Sequence, residues 1–173
     1  TVHRADHWLF DGAGVAYGDL LGAAATVVGY ECDGCDFTYR DGLPVALDGE
    51  ELGLVELIRR VAEAACRNGV GILDHIEDRV VGLKVRDLYE VPAAEVILTA
   101  HRELEKLVCT GRENALKPNL DALWAQLAYE GLLYEPLLAD LNAFIEKVNE
   151  RVEGRITMRL YKGTATAVTR SSP

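Results

Sequence analysis

The chain is predicted to fold as an α+β domain in which mostly antiparallel strands pack with four helices. Strand-like runs follow one another with only short turns between them, which favours antiparallel pairing. Four segments carry apolar residues at every third or fourth position, which is the pattern of helices with one buried face. The predicted order is β-β-β-α-β-β-α-α-α-β-β. It lacks the regular alternation of strand and helix that a parallel, wound sheet requires.

The N-terminal segment, residues 1–24, is rich in Gly and Ala and is interpreted as an irregular arm, so the α+β domain is expected to occupy residues 25–173. Three strands are predicted at the start of this domain, at residues 25–31, 36–40 and 44–47. Asp33-Gly34 is predicted to form the turn between the first two, because Asp-Gly between strand-like runs is a common hairpin turn.

Helices account for most of the remaining chain. They are predicted from their apolar periodicity at residues 55–65, 94–108, 116–131 and 137–152. A closing hairpin is predicted from strands at residues 155–161 and 164–169, which turn at Lys162-Gly163.

The segment from Gly71 to Pro92 is the most informative part of the chain. Two apolar runs separated by a polar corner predict two short strands, and the corner holds Glu77 and Asp78. The second strand leads to Tyr89. Carboxylate, phenol and guanidinium groups at strand ends are suited to binding the head group of an amino acid.

Composition limits the classes of partner. The chain has 173 residues, of which 49% are hydrophobic and 27% charged, as in an ordinary globular domain. Its net charge of −10 disfavours binding to nucleic acid or to an anionic membrane surface. No stretch approaches the ~20 apolar residues of a membrane-spanning helix. A cytoplasmic protein without a nucleic-acid or membrane partner is therefore expected.

Cys32 and Cys35 form a C-x-x-C motif, which is a candidate for a metal or redox site. A structural zinc site needs two further ligands, and no second pair with suitable spacing follows. A thioredoxin-like pair stands at the start of a helix, whereas these cysteines lie between strand-like runs. We therefore expect them to face each other across a hairpin, and we expect no metal site in this chain.

Several motifs together resemble one family. Residues 72–92 contain I-L-D, I-E-D-R, K-V-R and Y-E-V-P, and A-H-R-E-L-E, Y-E-G and L-Y-K-G follow in order. The chain thereby closely resembles the synthetase region of argininosuccinate synthases, where the corresponding patterns are G-V-G-R-I-D, V-E-D-R, K-S-R and Y-E-x-P. The resemblance covers roughly two thirds of the chain.

The resemblance implies a synthetase domain or subunit of an ATP-dependent ligase. In that family ATP adenylates the ureido oxygen of citrulline, and the amine of aspartate then displaces AMP, so that argininosuccinate, AMP and pyrophosphate are formed. Carried over by motif, the residues that contact citrulline are Glu77 and Tyr89. Arg79, Lys84 and Arg86 are the expected supporting residues, and no catalytic residue is expected in this chain.

The chain contains neither a G-x-x-x-x-G-K-[ST] loop nor the S-G-G-x-D-[ST] loop with which the family binds pyrophosphate. ATP and Mg²⁺ are therefore expected on an ATP-pyrophosphatase-type domain or subunit that acts as a partner, and the chain is not expected to be active alone. The resemblance also implies self-association, for which we expect a dimer.

Four positions depart from the family pattern. Ile72 and Val85 replace an arginine and a serine, and Arg4 and Ala13 stand where two citrulline-contacting serines are expected. These departures leave a second interpretation open, in which the chain is a stand-alone interaction module with the synthetase fold and no catalytic activity. They also leave open whether the ligand is citrulline or another amino acid.

Overall fold

The computed structural model describes residues 33–173, and within this range the predicted α+β class is confirmed. The elements are β1 (Asp33–Arg40), β2 (Leu43–Leu47), β3 (Glu50–Glu51), α1 (Leu54–Arg67), β4 (Ile72–Asp78), β5 (Lys84–Glu90), α2 (Pro92–Val108), α3 (Gly111–Tyr129), α4 (Pro136–Asn149), β6 (Gly154–Tyr161) and β7 (Thr164–Ser171). Every strand pair described is antiparallel. The closing hairpin lies where the sequence predicts it.

Five strands form one sheet in the order β3-β2-β1-β6-β7, and β4 pairs with β5 in a separate hairpin. Alternate residues of β1 and β6 are buried, so one face of the sheet is covered, and α1 and α2 pack on this face. Phe37, Leu57 and Val96 lie in the resulting core. Tyr39 contributes a polar contact there, because its hydroxyl donates to the Ile97 carbonyl at 2.9 Å.

The predicted turn at Asp33-Gly34 is wrong. These two residues begin β1, where Asp33 pairs with Leu160 and Gly34 pairs with Arg159 of β6. The Asp-Gly signal is local, whereas pairing with β6 supplies a partner along nearly the whole of β1, and that long-range pairing decides the structure. The predicted arm at residues 1–24, the predicted strand at 25–31 and Cys32 lie outside the described residues.

Helix α3 begins earlier than its apolar pattern predicts, at Gly111 rather than at Leu116. Thr110 caps it: the Thr110 hydroxyl accepts from the Glu113 N–H at 3.3 Å, and the Glu113 carboxylate accepts from the Thr110 N–H at 2.8 Å. This reciprocal cap satisfies donors at the start of the helix, so the first turn forms although it carries little apolar surface.

Helices α3 and α4 pack against each other through a small apolar cluster of their own, which includes Leu127, Leu138 and Leu141. The loop between them exposes Leu133 and Tyr134, and Tyr134 is 100% exposed. We call this helix pair the helical arm. No helix between residues 33 and 173 combines the length and apolar character needed to cross a membrane.

The base of the β4–β5 hairpin is held by a close backbone approach. The Val91 N–H donates to the Gly71 carbonyl at 2.8 Å, and Gly71 has a φ of 94°. A Cβ atom at this position would lie 2.4 Å from the Pro92 Cα, so only glycine fits. The hairpin therefore leaves the domain at a defined point beside the start of α2.

Candidate functional site

Glu77 and Tyr89 lie on the same face of the β4–β5 hairpin. In the strand register Glu77 pairs with Val85 and Leu73 pairs with Tyr89. Because these pairs are four residues apart on each strand, the Glu77 and Tyr89 side chains project to one side. The Tyr89 hydroxyl donates to Glu77 Oε2 at 2.7 Å. The two residues predicted to contact citrulline are thus brought together.

Glu77 is not in the turn, where the sequence pattern places it. Glu77 and Asp78 are the last residues of β4, and the turn follows at residues 79–83, closed by the Arg79 N–H donating to the Leu83 carbonyl at 2.8 Å. Only 8% of Glu77 is exposed, unlike an ordinary turn carboxylate. A carboxylate this well covered needs partners, and the hairpin supplies them.

Arg79 and Asp87 surround the same carboxylate. The Arg79 guanidinium lies 3.5 Å from Glu77 Oε2 and 2.7 Å from Asp87 Oδ2. Asp87 shares the face of Glu77, because it pairs with His75 in the register. Of the predicted supporting residues, Arg79 is therefore the one that contacts the Glu77 side chain.

A second phenol reaches Glu77 from a distant part of the chain. Hydrogen bonds from Tyr129, at the C-terminal end of α3, and from Tyr89 lower the pKa of Glu77 to about 2. The same carboxylate raises the pKa of Tyr89 to about 12 and raises the pKa of Tyr129. At neutral pH the site therefore holds an ionised carboxylate between two protonated phenols.

These side chains border an open cavity. Its volume is about 360 Å³, and it is lined by His75, Glu77, Asp78, Tyr89 and Tyr129. The His75 and Tyr89 rings lie 6.3 Å apart between centroids, at an angle of 46°. Two carboxylates and two phenols border this space, so it favours a cationic group or another hydrogen-bond donor.

Lys84 and Arg86 form their ion pairs with carboxylates other than Glu77. The Lys84 ammonium lies 2.5 Å from Asp78, and the Arg86 guanidinium forms two hydrogen bonds with Asp74, at 2.8 and 2.6 Å. By register Arg86 pairs with Ile76, so it lies on the face opposite to Glu77. These contacts indicate that Arg86 stabilises the hairpin, while Lys84 pairs with Asp78, which lines the cavity.

The two family departures in the described residues differ in their position. Val85 pairs with Glu77 across the strands, so it shares the face of the hairpin that carries the site. Ile72 lies on the opposite face and is paired with Glu90. Arg4 and Ala13 lie outside the described residues.

Sequence reasoning missed His75, Asp87 and Tyr129 as site residues. The strand alternation carries a signal for the first two, since His75 is two residues from Glu77 and Asp87 is two residues from Tyr89. Tyr129 has no comparable signal. It is 39 residues beyond the end of the hairpin in sequence and lies beside Glu77 only because α3 ends there.

Known proteins match most of this chain. The family model for the arginosuccinate synthase C-terminal domain matches residues 27–173. Argininosuccinate synthase of Methanosarcina acetivorans is 56% identical over 138 residues, covering 80% of this chain and 35% of that protein. The synthases of Methanococcoides burtonii and Methanocaldococcus jannaschii are 54% and 48% identical, and the match covers 78% and 80% of this chain.

The chain thus spans about a third of the length of the curated relatives it matches, 34% to 35% of each of these three. The matched part includes the hairpin that carries Glu77 and Tyr89. The family model matches most of the chain, and the relatives are about half identical to it, so the likeness extends beyond a shared fold. The chain belongs to the argininosuccinate synthase family and corresponds to its C-terminal domain.

Proposed function

We propose that this chain supplies the citrulline-binding part of an ATP-dependent ligase that joins citrulline to aspartate and releases AMP and pyrophosphate. The observation that carries this proposal is the ionised Glu77 carboxylate, held by two phenols at the edge of an open cavity. An α-ammonium group is the complementary charge for this carboxylate.

Each side chain has a distinct role in this proposal. Glu77 pairs with the α-ammonium of the amino acid. Tyr89 borders the same space, and its orientation is set by the hydrogen bond that it donates to Glu77. Arg79 balances part of the local negative charge and holds Asp87 close to the site. The chain therefore positions the substrate, and bond formation needs groups outside it.

ATP and Mg²⁺ bind on an ATP-pyrophosphatase-type domain or subunit in this proposal. The turn at residues 79–83 exposes Val80, Val81 and Leu83 next to the site, and a domain seated there would cover this apolar surface together with the cavity. The isolated chain should then show no ATP binding by calorimetry. Sub-millimolar ATP affinity for the isolated chain would contradict the assignment.

The interaction-module alternative is less well supported. It requires loss of amino-acid binding, whereas the Glu77–Tyr89 pair is intact and 48–56% identity links the chain to argininosuccinate synthases. An amino-acid ligase that consumes ATP is expected to act in the cytoplasm. Self-association through the helical arm is compatible with the ligase role.

Calorimetric titration of the chain with L-citrulline tests the proposal. Glu77→Gln keeps the side-chain shape and removes the charge, so we expect about a tenfold or greater loss of affinity. Glu63→Gln is the matched control, since Glu63 is exposed on α1. Equal affinity in the Glu77→Gln variant and the unmodified chain would place the ligand elsewhere.

A fusion tests the whole activity. The match covers 35% of the Methanosarcina acetivorans synthase, so about two thirds of that protein lies outside it. The part of that synthase that precedes the matched segment would be joined to this chain. Pyrophosphate release that depends on both citrulline and aspartate is the expected result. A folded fusion that binds ATP but releases no pyrophosphate would refute the ligase role.

A further inference from the structure

The two phenols of the site lie beside one carboxylate. Tyr89 donates its proton to Glu77 Oε2 at 2.7 Å, and Tyr129 lines the same cavity as Glu77 and Tyr89. A phenol has a single proton to donate, and its remaining capacity is that of an acceptor. Both phenols therefore offer lone pairs to a ligand in the cavity.

The carboxylate keeps the phenols in this state. Glu77 raises the pKa of Tyr89 to about 12 and raises that of Tyr129, so neither phenol ionises near neutral pH. The Glu77 carboxylate itself has about four acceptor positions and is not saturated by two phenols and a guanidinium 3.5 Å away.

We propose that Tyr129 is a third ligand-contacting residue of this cavity, and that Glu77, Tyr89 and Tyr129 together select a primary ammonium group. The identity of the amino acid in this inference rests on the proposed function. The preference for a primary ammonium group does not depend on it. A primary ammonium has three N–H donors, which match three oxygen acceptors contributed by β4, β5 and α3. Tyr129 also links ligand binding to the position of the helical arm.

A competing physical account uses the same residues differently. The faces of the Tyr89, Tyr129 and His75 rings could hold a cation by cation–π attraction, which needs no N–H donors and favours a methylated ammonium. The two accounts differ in the cation they prefer. They also differ in whether the Tyr129 hydroxyl or only its ring is needed.

The test uses the full chain and ¹³C NMR of the Glu77 carboxyl carbon. Methylammonium and tetramethylammonium are titrated separately, because they carry equal charge and only the first has N–H donors. We expect methylammonium to bind more tightly than tetramethylammonium. Tyr129→Phe, which keeps the ring, should weaken methylammonium binding about three- to tenfold. Tyr89→Phe should act similarly, and Tyr134→Phe is the control because Tyr134 is 100% exposed.

Each outcome decides the inference. Tetramethylammonium binding as tightly as methylammonium, an unchanged Tyr129→Phe variant, or no response of Glu77 to either cation would overturn it. L-Citrulline is titrated in the same way to separate it from the proposed function. If methylammonium behaves as expected but citrulline binds no more tightly, the head-group selection stands and the citrulline assignment fails. If citrulline binds well and Tyr129→Phe has no effect, the citrulline assignment stands and the role of Tyr129 in head-group selection fails.

Discussion

The ion pair between Lys117 and Glu105 should stabilise the contact of α3 with α2, and Lys117→Met tests this. Lys117 Nζ lies 2.9 Å from Glu105 Oε1 and 2.8 Å from Asp121 Oδ2. Lys117 and Glu105 are only 8% and 6% exposed. Methionine keeps much of the side-chain length and removes the charge, so Glu105 would be left buried with His101, at 3.5 Å, as its remaining partner.

The expected cost follows from this burial. Removing one partner of a buried ion pair typically costs about 3–5 kcal/mol. Here the ion pair borders an opening of about 310 Å³ between α2 and α3, where water can screen the charge that remains. We therefore expect about 2–3 kcal/mol, which for a domain of this size lowers the melting temperature by about 4–12 °C.

The effect should depend on pH in a defined direction. Burial raises the pKa of Glu105, but hydrogen bonds from His101 and Lys117 outweigh burial and hold that pKa below its ordinary value. A carboxyl whose pKa is depressed by folding contributes stability above its unfolded pKa, and this contribution is lost as the pH falls through the folded pKa. The deficit of Lys117→Met should therefore be large at neutral pH and shrink in acid.

Thermal unfolding followed by circular dichroism at neutral and acidic pH measures this deficit. Lys147→Met is the matched control, because Lys147 forms an exposed ion pair with Glu150 that should contribute about 1 kcal/mol or less. If Lys117→Met lowers the melting temperature no more than Lys147→Met does, the reasoning about burial is wrong. Because α3 ends at Tyr129, Lys117→Met should also weaken methylammonium binding if α3 loosens.

Three further predictions address the core and the assembly. Gly154→Ala should lower the free energy of unfolding by about 1–3 kcal/mol, because Gly154 has a φ of 151° and a Cβ would lie 2.2 Å from the Ser171 carbonyl oxygen. The control is Gly111→Ala, where a Cβ meets no atom within 4 Å, and it should not destabilise the chain. Equal denaturation midpoints for the two variants would contradict this prediction. Burial raises the pKa of Cys35 to about 12, so iodoacetamide should alkylate Cys35 only after unfolding. Mass spectrometry locates the alkylated cysteine. Alkylation of Cys35 that is as fast in the native chain as in the unfolded chain would contradict this. Light scattering should report about twice the 18.9 kDa chain mass, as expected for a dimer. Leu133→Asp places a charge on the exposed apolar surface of the helical arm and should lower the measured mass. A monomeric unmodified chain would exclude the dimer.

Local patterns in the sequence determine most of the secondary structure. Apolar periodicity places the four helices, because a helix that packs on one side needs an apolar residue at every third or fourth position. The two hairpins at 72–90 and 154–171 are predicted from pairs of strand-like runs, although the first hairpin turns at residues 79–83 and not at the polar corner that holds Glu77 and Asp78. Family motifs in the same stretch identify Glu77 and Tyr89, since their spacing along the chain is a local property.

Long-range pairing decides what these patterns leave open. Asp33-Gly34 has the composition of a turn, yet it lies in a strand because β6, more than a hundred residues later, pairs with it. Such pairing depends on the whole sheet and leaves no trace in neighbouring residues. The start of α3 is intermediate: the Thr110–Glu113 cap is visible in the sequence, but the apolar pattern alone places the start too late.

The composition of the site depends most on tertiary structure. The sequence by itself determines the family, the α+β class and the two residues of the hairpin that meet across its strands. Only the folded chain brings Tyr129 to Glu77 and places Arg86 on the opposite face, because helix packing and strand register decide which side chains share a space. Glu77 owes its low pKa to these neighbours, so the charge of the site is a property of the fold and not of the motif.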